Sequence, residues 1–387
     1  MEEAKKQRVQ EILNEMTQNG IVGGASILFL QDGKEEFYGQ AGFADIAGGV
    51  PMQRDTICRI YSMTKPITGF AVMKLMEQGK LDLSDPVENY LPGFKNQQVD
   101  GVTLAPNERM TINHLLSMTS GLVYGDENTP LERATDQLFD EIIDKMETPA
   151  AFTTQMVANR LGMLPLAFKP GNSYQYGTGA DVLGAIVEII AEKPFDVFLK
   201  ETLFEPLEMN DTDFFVPQEK QHRLAKAYDH DNRGLVEFTY SNLGVSNSML
   251  HPPKFVSGGA GLVSTLDDYA KFATMLLQGG VYNGVRCLSE KTVTFFTRGQ
   301  LQSNLNRAFW NCFPRKTGFS YGNLMRHCIL PQECVVLADK GEYGWDGWLG
   351  TAFYNSPVAN STFLMMTQRS YAPQTDWINR IKNVLWS

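Results

Sequence analysis

The stretch Asp55-Thr56-Ile57-Cys58-Arg59-Ile60-Tyr61-Ser62-Met63-Thr64-Lys65-Pro66-Ile67-Thr68 decides how the rest of the chain is read. Its core is Ser62-Met63-Thr64-Lys65, an S-x-x-K tetrad. From about position 62 to 78 the pattern is helical and apolar nearly all round (Ile67, Phe70, Ala71, Val72, Met73, Leu75, Met76), which predicts a buried helix stopped by Gly79. Three residues is about one helical turn, so Ser62 and Lys65 share a face. A serine hydroxyl becomes a nucleophile when a base takes its proton. Lysine is that base as the neutral amine, a form that burial at a helix N-terminus favours. The same N-terminus offers unpaired backbone N–H groups to a developing oxyanion. Taken alone, S-x-x-K also fits a serine N-cap followed by a surface lysine. Pro66 and the apolar run behind it instead place Lys65 in a core or a cleft, with no carboxylate close in sequence.

Upstream of this helix, 5–17 suits a first helix and 23–31 a strand with a buried centre. Asp32-Gly33 signals a turn and 35–43 a second strand, so the two strands form a hairpin. From about 85 to 230 strand patterns are rare and helical periods dominate, as in 112–118, 131–146 and 181–192. In the last of these, Leu183, Ile186, Val187 and Ile190 recur at helical spacing. A further helix spans 266–277 and ends at Gly279-Gly280. Strand patterns return at 319–328, 334–339, 350–354 and 362–368, before a closing helix at 375–386. With strands at both ends and helices between, the expected fold is α+β. The two ends pair in one antiparallel sheet flanked by helices, and an all-helical lobe is inserted between them. The expected domains are a discontinuous sheet domain, 1–84 with 231–387, and a mainly helical lobe, 85–230.

Composition narrows the function. The chain has 387 residues, 34 basic and 44 acidic, for a net charge of −10, which argues against a nucleic-acid surface. No apolar run resembles a secretory leader or a bilayer span, so a soluble, cytoplasmic protein without membrane contact is expected. Cys58, Cys287, Cys312, Cys328 and Cys334 form no C-x-x-C pair, and they read as reduced thiols. The five histidines (His114, His222, His230, His251, His327) show neither H-E-x-x-H nor H-x-H spacing, so no metal site is expected. No G-x-S-x-G elbow occurs, which leaves an α/β-hydrolase route unsupported.

The run from Asp55 to Thr68 resembles the nucleophile segment of the serine β-lactamase-like superfamily. It is most similar to the branch holding class C β-lactamases, family VIII carboxylesterases, D-aminopeptidases and related acyltransferases. The resemblance continues through Gly79-Lys80-Leu81-Asp82-Leu83-Ser84-Asp85-Pro86-Val87, Tyr90-Leu91-Pro92 and Leu115-Leu116-Ser117-Met118-Thr119-Ser120-Gly121-Leu122. It recurs at Gly258-Gly259-Ala260-Gly261-Leu262-Val263-Ser264-Thr265, and so covers nearly the whole chain. It implies the β-lactamase/transpeptidase-like fold and a second catalytic element opening a helix after a Pro-Gly turn. Here Pro170-Gly171-Asn172-Ser173-Tyr174-Gln175-Tyr176-Gly177-Thr178-Gly179 fills that place, with Tyr176 as the matching phenol and Tyr174 as packing. Thr178 stands where β-lactamases carry Asn and is a candidate substrate contact.

The third element of that family is K-T-G on the strand closing the cleft. Lys316-Thr317-Gly318 has that sequence but is followed by too many strand patterns, so Lys316 reads as an exposed loop residue. Trp345-Asp346-Gly347, inside Gly344-Trp345-Asp346-Gly347-Trp348-Leu349-Gly350-Thr351, takes the place instead and resembles the W-G-G form of the esterase branch. Trp345, Asp346 and Gly347 are thus candidate substrate-binding residues. An ionised Asp346 would disfavour a carboxylate ligand, so a small neutral ester or amide is the expected substrate. The resemblance also implies an oxyanion hole from the backbone N–H groups of Ser62 and Trp348. It implies a catalytic set of Ser62, Lys65 and Tyr176, with no metal or organic cofactor. The expected function is a serine carboxylesterase working through an acyl-enzyme. A β-lactamase, D-aminopeptidase or acyltransferase with the same site, or a non-catalytic sensor of the same fold, remain alternatives.

Overall fold

A computed structural model describes residues 1–125, 128–299, 301–371 and 374–387. The main sheet has eight strands: β1 (Gly24–Gln31), β2 (Lys34–Asp45), β3 (Val50–Pro51), β4 (Phe319–Gly322), β5 (Met325–Cys328), β6 (Tyr343–Asp346), β7 (Ala352–Ser356) and β8 (Ser361–Thr367). Their order is β4-β5-β6-β7-β8-β1-β2-β3, with antiparallel neighbours. The hairpin β1–β2 turns on Asp32 and Gly33, at φ 51° and 72°, the left-handed pair a two-residue hairpin needs. Ala25 sits opposite Thr367 and Gln31 opposite Ser361, so the two ends of the chain meet within the sheet.

Helices cover both faces. The helices used below are α1 (Glu3–Gln18), α2 (Thr64–Glu77), α3 (Gly179–Ala191), α4 (Leu266–Leu277), α5 (Glu290–Phe296) and α6 (Gln374–Trp386). Val9, Ile12, Leu13 and Met16 give α1 one apolar stripe, buried with Ile378, Ile381 and Leu385 of α6 against Phe29, Tyr354 and Phe363 of the sheet. Burying those four α1 side chains contributes on the order of 6–12 kcal/mol. On the other face α4 packs on Leu28, Phe353 and Leu364, and α2 meets α4 through Phe70 and Phe272. The same apolar core runs on into α3 through Val182, Leu183 and Ile186. Helix α2 is buried on nearly every side, as its uniformly apolar sequence requires. Pro66 is tolerated because it sits in the first turn, where a backbone N–H has no helical acceptor.

Two expectations need correction. The run 319–328 is not one strand but two, β4 and β5, joined by Asn323 and Leu324 at φ 50° and 64°. Leucine is disfavoured there. Leu324 is nevertheless fully buried, and its N–H donates to the Leu116 carbonyl at 2.9 Å, which holds the turn. The run 334–339 is not a strand. It follows the short 3-10 turn Pro331–Glu333, leaves Val335 60% and Leu337 47% exposed, and pairs with no strand among the described residues. The strand in that region is β6, further on.

Candidate active site

The nucleophile segment is fixed before the helix begins. Cys58 and Arg59 pair with Ser264 and Val263, and the Ile60 N–H donates to the Leu262 carbonyl at 3.0 Å. The buried Arg59 guanidinium donates to the carbonyls of Asn247 (2.9 Å) and Ala225 (2.8 Å). From that anchor the chain makes a single 3-10 turn, Tyr61–Met63, and enters α2. Tyr61 has φ 41°, a strained value for an aromatic residue that persists only where surroundings enforce it. Here the Trp348 ring stacks edge-on against Tyr61 at 5.0 Å. The turn leaves Ser62 partly exposed directly over the fully buried Lys65.

Lys65 Nζ lies 3.2 Å from Ser62 Oγ, 3.0 Å from the Tyr124 hydroxyl and 2.9 Å from the Gly259 carbonyl oxygen. It forms no ion pair with any described residue. Three partners satisfy an ammonium. They equally satisfy an amine that accepts from Ser62 and donates to the other two. The Gly259 carbonyl is aimed by a second layer of contacts. Asp181, buried in the first turn of α3, accepts at Oδ1 from Ser257 Oγ (2.6 Å) and from the Gly259 N–H (3.0 Å). A Cβ on Gly259 would lie 2.7 Å from Asp181 Oδ2 and 3.0 Å from the Tyr124 hydroxyl, so only glycine fits. Burial raises the Asp181 carboxyl above its usual range, opposed by the Ser257 hydrogen bond and the Lys65 charge.

Two phenols flank the amine. The Tyr176 ring centroid is 4.7 Å and the Tyr124 centroid 5.2 Å from Lys65 Nζ. The Tyr176 hydroxyl accepts from Trp345 Nε1 at 2.9 Å, and its ring packs on Phe313 and Trp345, each at 5.5 Å. Burial, and then the nearby Asp181, push Tyr124 well above the usual phenol value, which keeps it protonated. Tyr124 therefore stands as a protonated hydrogen-bond partner of Lys65, and the half-buried Tyr176 is the second phenol over the amine. Gly347 closes the opposite side: a Cβ there would lie 2.4 Å from the Ile60 carbonyl oxygen, so the backbone leading to Trp348 is pressed against the Ser62 turn.

Ser62, Lys65, Tyr176 and Trp345 are thus brought together, with Gly347 and Trp348 beside them. Two candidates, and Lys316, are placed otherwise. Thr178 is fully buried at the entrance of α3 and is not available to a substrate. Asp346 follows Trp345 on β6, and side chains alternate across a strand. Its carboxylate is held by Lys316 and by the Tyr354 hydroxyl. Burial would raise it, but the charges of Lys316 and Arg326 prevail and hold it below the usual carboxylate range. Lys316 is accordingly not an exposed loop residue. It lies in the turn Pro314–Lys316, its ammonium paired with Asp346 and 5.3 Å from the Trp345 ring centroid. The bare negative charge expected at the cleft is neutralised. Two residues escaped the sequence reading, Tyr124 and Asp181. A carboxylate in the otherwise apolar start of Gly179–Ala191 was the available signal for Asp181. Tyr124, two residues beyond the Ser120-Gly121-Leu122 turn, gave none.

A helix-flanked antiparallel sheet with a serine over a buried lysine defines a serine hydrolase of β-lactamase/transpeptidase-like fold. The chain belongs to the Beta-lactamase family, which matches residues 9–384. Esterase EstB of Burkholderia gladioli is 30% identical over 382 residues, covering 94% of this chain and 90% of that protein. Among solved structures, EstCE1, a hydrolase with promiscuous acyltransferase activity, superposes with a TM-score of 0.85 at 24% identity over 99% of both chains. A mutant of simvastatin synthase (LovD) from Aspergillus terreus superposes with a TM-score of 0.80 at 20% identity, covering 99% of this chain and 94% of that one. Among the described residues no group of His, Cys, Asp and Glu is arranged to hold a metal ion, and no helix is long and apolar enough to cross a membrane.

Proposed function

We propose that the chain is a carboxylesterase that acts on small neutral esters through an acyl-enzyme on Ser62. The observation that carries this reading is the buried Lys65 amine, held among the described residues only by neutral partners and 3.2 Å from Ser62 Oγ. In the proposed reaction the Ser62 proton passes to Lys65 Nζ as Oγ bonds the acyl carbon. The resulting oxyanion is held by the backbone N–H groups of Ser62 and Trp348. Tyr176, over the same ammonium, relays the proton to the departing alkoxide, and water then hydrolyses the acyl-enzyme by the reverse path. The cleft wall beside Tyr176 is the Trp345 indole, and the adjacent Asp346–Lys316 pair has no net charge, which suits an uncharged acyl group.

Mass spectrometry after exposure to a fluorophosphonate tests the reading: one adduct on Ser62 is expected, together with loss of p-nitrophenyl ester turnover in Ser62→Ala. An unmodified Ser62, or a Ser62→Ala chain that turns over normally, overturns it. Likeness to EstCE1 and to simvastatin synthase favours acyl transfer as a second reading. Faster product release on adding an alcohol acceptor supports transfer, and comparable turnover of nitrocefin or a D-amino-acid anilide would move the substrate class to lactams or amides.

A further inference from the structure

Away from Ser62, a cavity of about 590 Å3 opens between the segment around His114, the loop at Gly171, helix α5 and the β4–β5 turn. Its size falls within the range of small-molecule sites. Its lining contains no Asp or Glu, in a chain that carries 44 acidic residues against 34 basic. Lys291 on α5 and Arg298 just beyond it both line the cavity, and neither pairs with a carboxylate of any described residue.

His114 adds a directed donor. The Thr111 N–H donates to His114 Nδ1 at 3.1 Å, so Nδ1 is the acceptor and the proton of the neutral ring sits on Nε2. Burial lowers the His114 pKa and favours that neutral ring. Nε2 faces the Gly171 backbone, where a Cβ would lie 3.2 Å away. The floor is apolar, from Phe295, Leu301 and Leu305. Two cations and an N–H donor with no carboxylate, set over hydrocarbon, complement an anionic head on an apolar body.

We propose that this cavity binds a small organic anion, a phosphate or carboxylate head carrying an aryl or alkyl body. The site also touches the catalytic lobe. The Gly171 N–H donates to the Thr119 carbonyl at 2.8 Å and the Gln175 N–H to the Met118 carbonyl at 2.9 Å, so one wall of the cavity is the segment that leads to Tyr176.

Titration calorimetry at constant ionic strength tests this with phenyl phosphate, octanoate and inorganic phosphate as probes. At least one of the two organic anions binds at one site per chain, and substitution of Lys291 and Arg298, which line only this cavity, separates it from product binding in the catalytic cleft. The Lys291→Gln/Arg298→Gln double variant keeps its basal ester turnover and binds that anion about tenfold more weakly. Binding of neither organic anion at about 10 mM, a Kd unchanged in the double variant, or inorganic phosphate binding as tightly as phenyl phosphate each overturns the proposal.

Discussion

Two lysines of this chain are almost completely withdrawn from water, and they are held in opposite ways. Lys382 on α6 is clamped by both oxygens of Glu342, at 2.7 and 2.8 Å, and Arg326 adds a third bond to that carboxylate at 3.0 Å. Among the described residues Lys65 has no carboxylate partner, only a hydroxyl, a phenol and a carbonyl. A buried ion pair holds its proton, because removing either charge strands the other. A buried amine among neutral partners keeps all its contacts in either protonation state. Near-equal burial therefore yields an ion-paired lysine on one face of the sheet and, on the other, a lysine held by a hydroxyl, a phenol and a carbonyl. Strand β5 divides the two settings by alternation: Arg326 joins the ion cluster, and His327 packs toward Tyr343.

Exchanging each lysine for a side chain of similar length sharpens this contrast. Lys65→Met lowers kcat for p-nitrophenyl esters by roughly 10²–10⁴-fold with little change in melting temperature. Retention of more than a tenth of kcat breaks the comparison. Lys382→Met does the reverse: kcat at 25 °C is kept, while stability in urea falls by about 3–5 kcal/mol because Glu342 is left buried without its partner. Adding Glu342→Gln recovers much of that loss, and a double variant no more stable than Lys382→Met alone argues against an uncompensated charge as the cause.

His327 supplies a third buried base. Its Nε2 lies 3.2 Å from the Gly322 carbonyl oxygen. Burial draws its pKa down to about 4 from the ordinary 6.5. The unfolded chain therefore binds the proton first as pH falls. Stability tied to His327 is intact above about pH 6.5 and is lost by up to about 3 kcal/mol as pH falls to about 4. Urea unfolding of His327→Gln shows a flatter profile across that window, and a slope equal to that of the parent chain refutes the assignment. The smallest effect expected is at Asp181. Asp181→Asn keeps an acceptor for the Gly259 N–H but removes the charge near Lys65, and lowers kcat about tenfold, with the pH–rate profile displaced and KM unchanged. A change in KM alone contradicts positioning of the amine.

How far the sequence reveals this arrangement depends on the residue. Ser62 and Lys65 are legible because one turn of helix sets their relation, and the apolar run behind them dictates burial. Helix 266–277 is legible because Thr265 caps it and Gly279-Gly280 ends it. Strand β6 is not, because glycines at 341, 344, 347 and 350 break its pattern. Gly344 is needed where the neighbouring strand approaches, since a Cβ would lie 2.0 Å from the Phe353 carbonyl oxygen. The run at 334–339 misled because apolar residues in sequence do not supply a strand to pair with. Tyr124, Asp181 and the Lys316–Asp346 pair depend on contacts 30 to 194 residues apart in sequence, which no local pattern encodes.

The pairing of β1 with β8 has a consequence for biosynthesis. Strand β1 is made well before the partner on its second edge, which lies some 330 residues downstream. A nascent chain must keep a hydrophobic hairpin edge unsatisfied until those residues have left the ribosome, the period in which edge-to-edge aggregation threatens and a holding chaperone has most to protect. Premature stop codons anywhere before residue 361 leave that edge permanently open, so such fragments are destined for proteolysis or inclusion bodies rather than partial function.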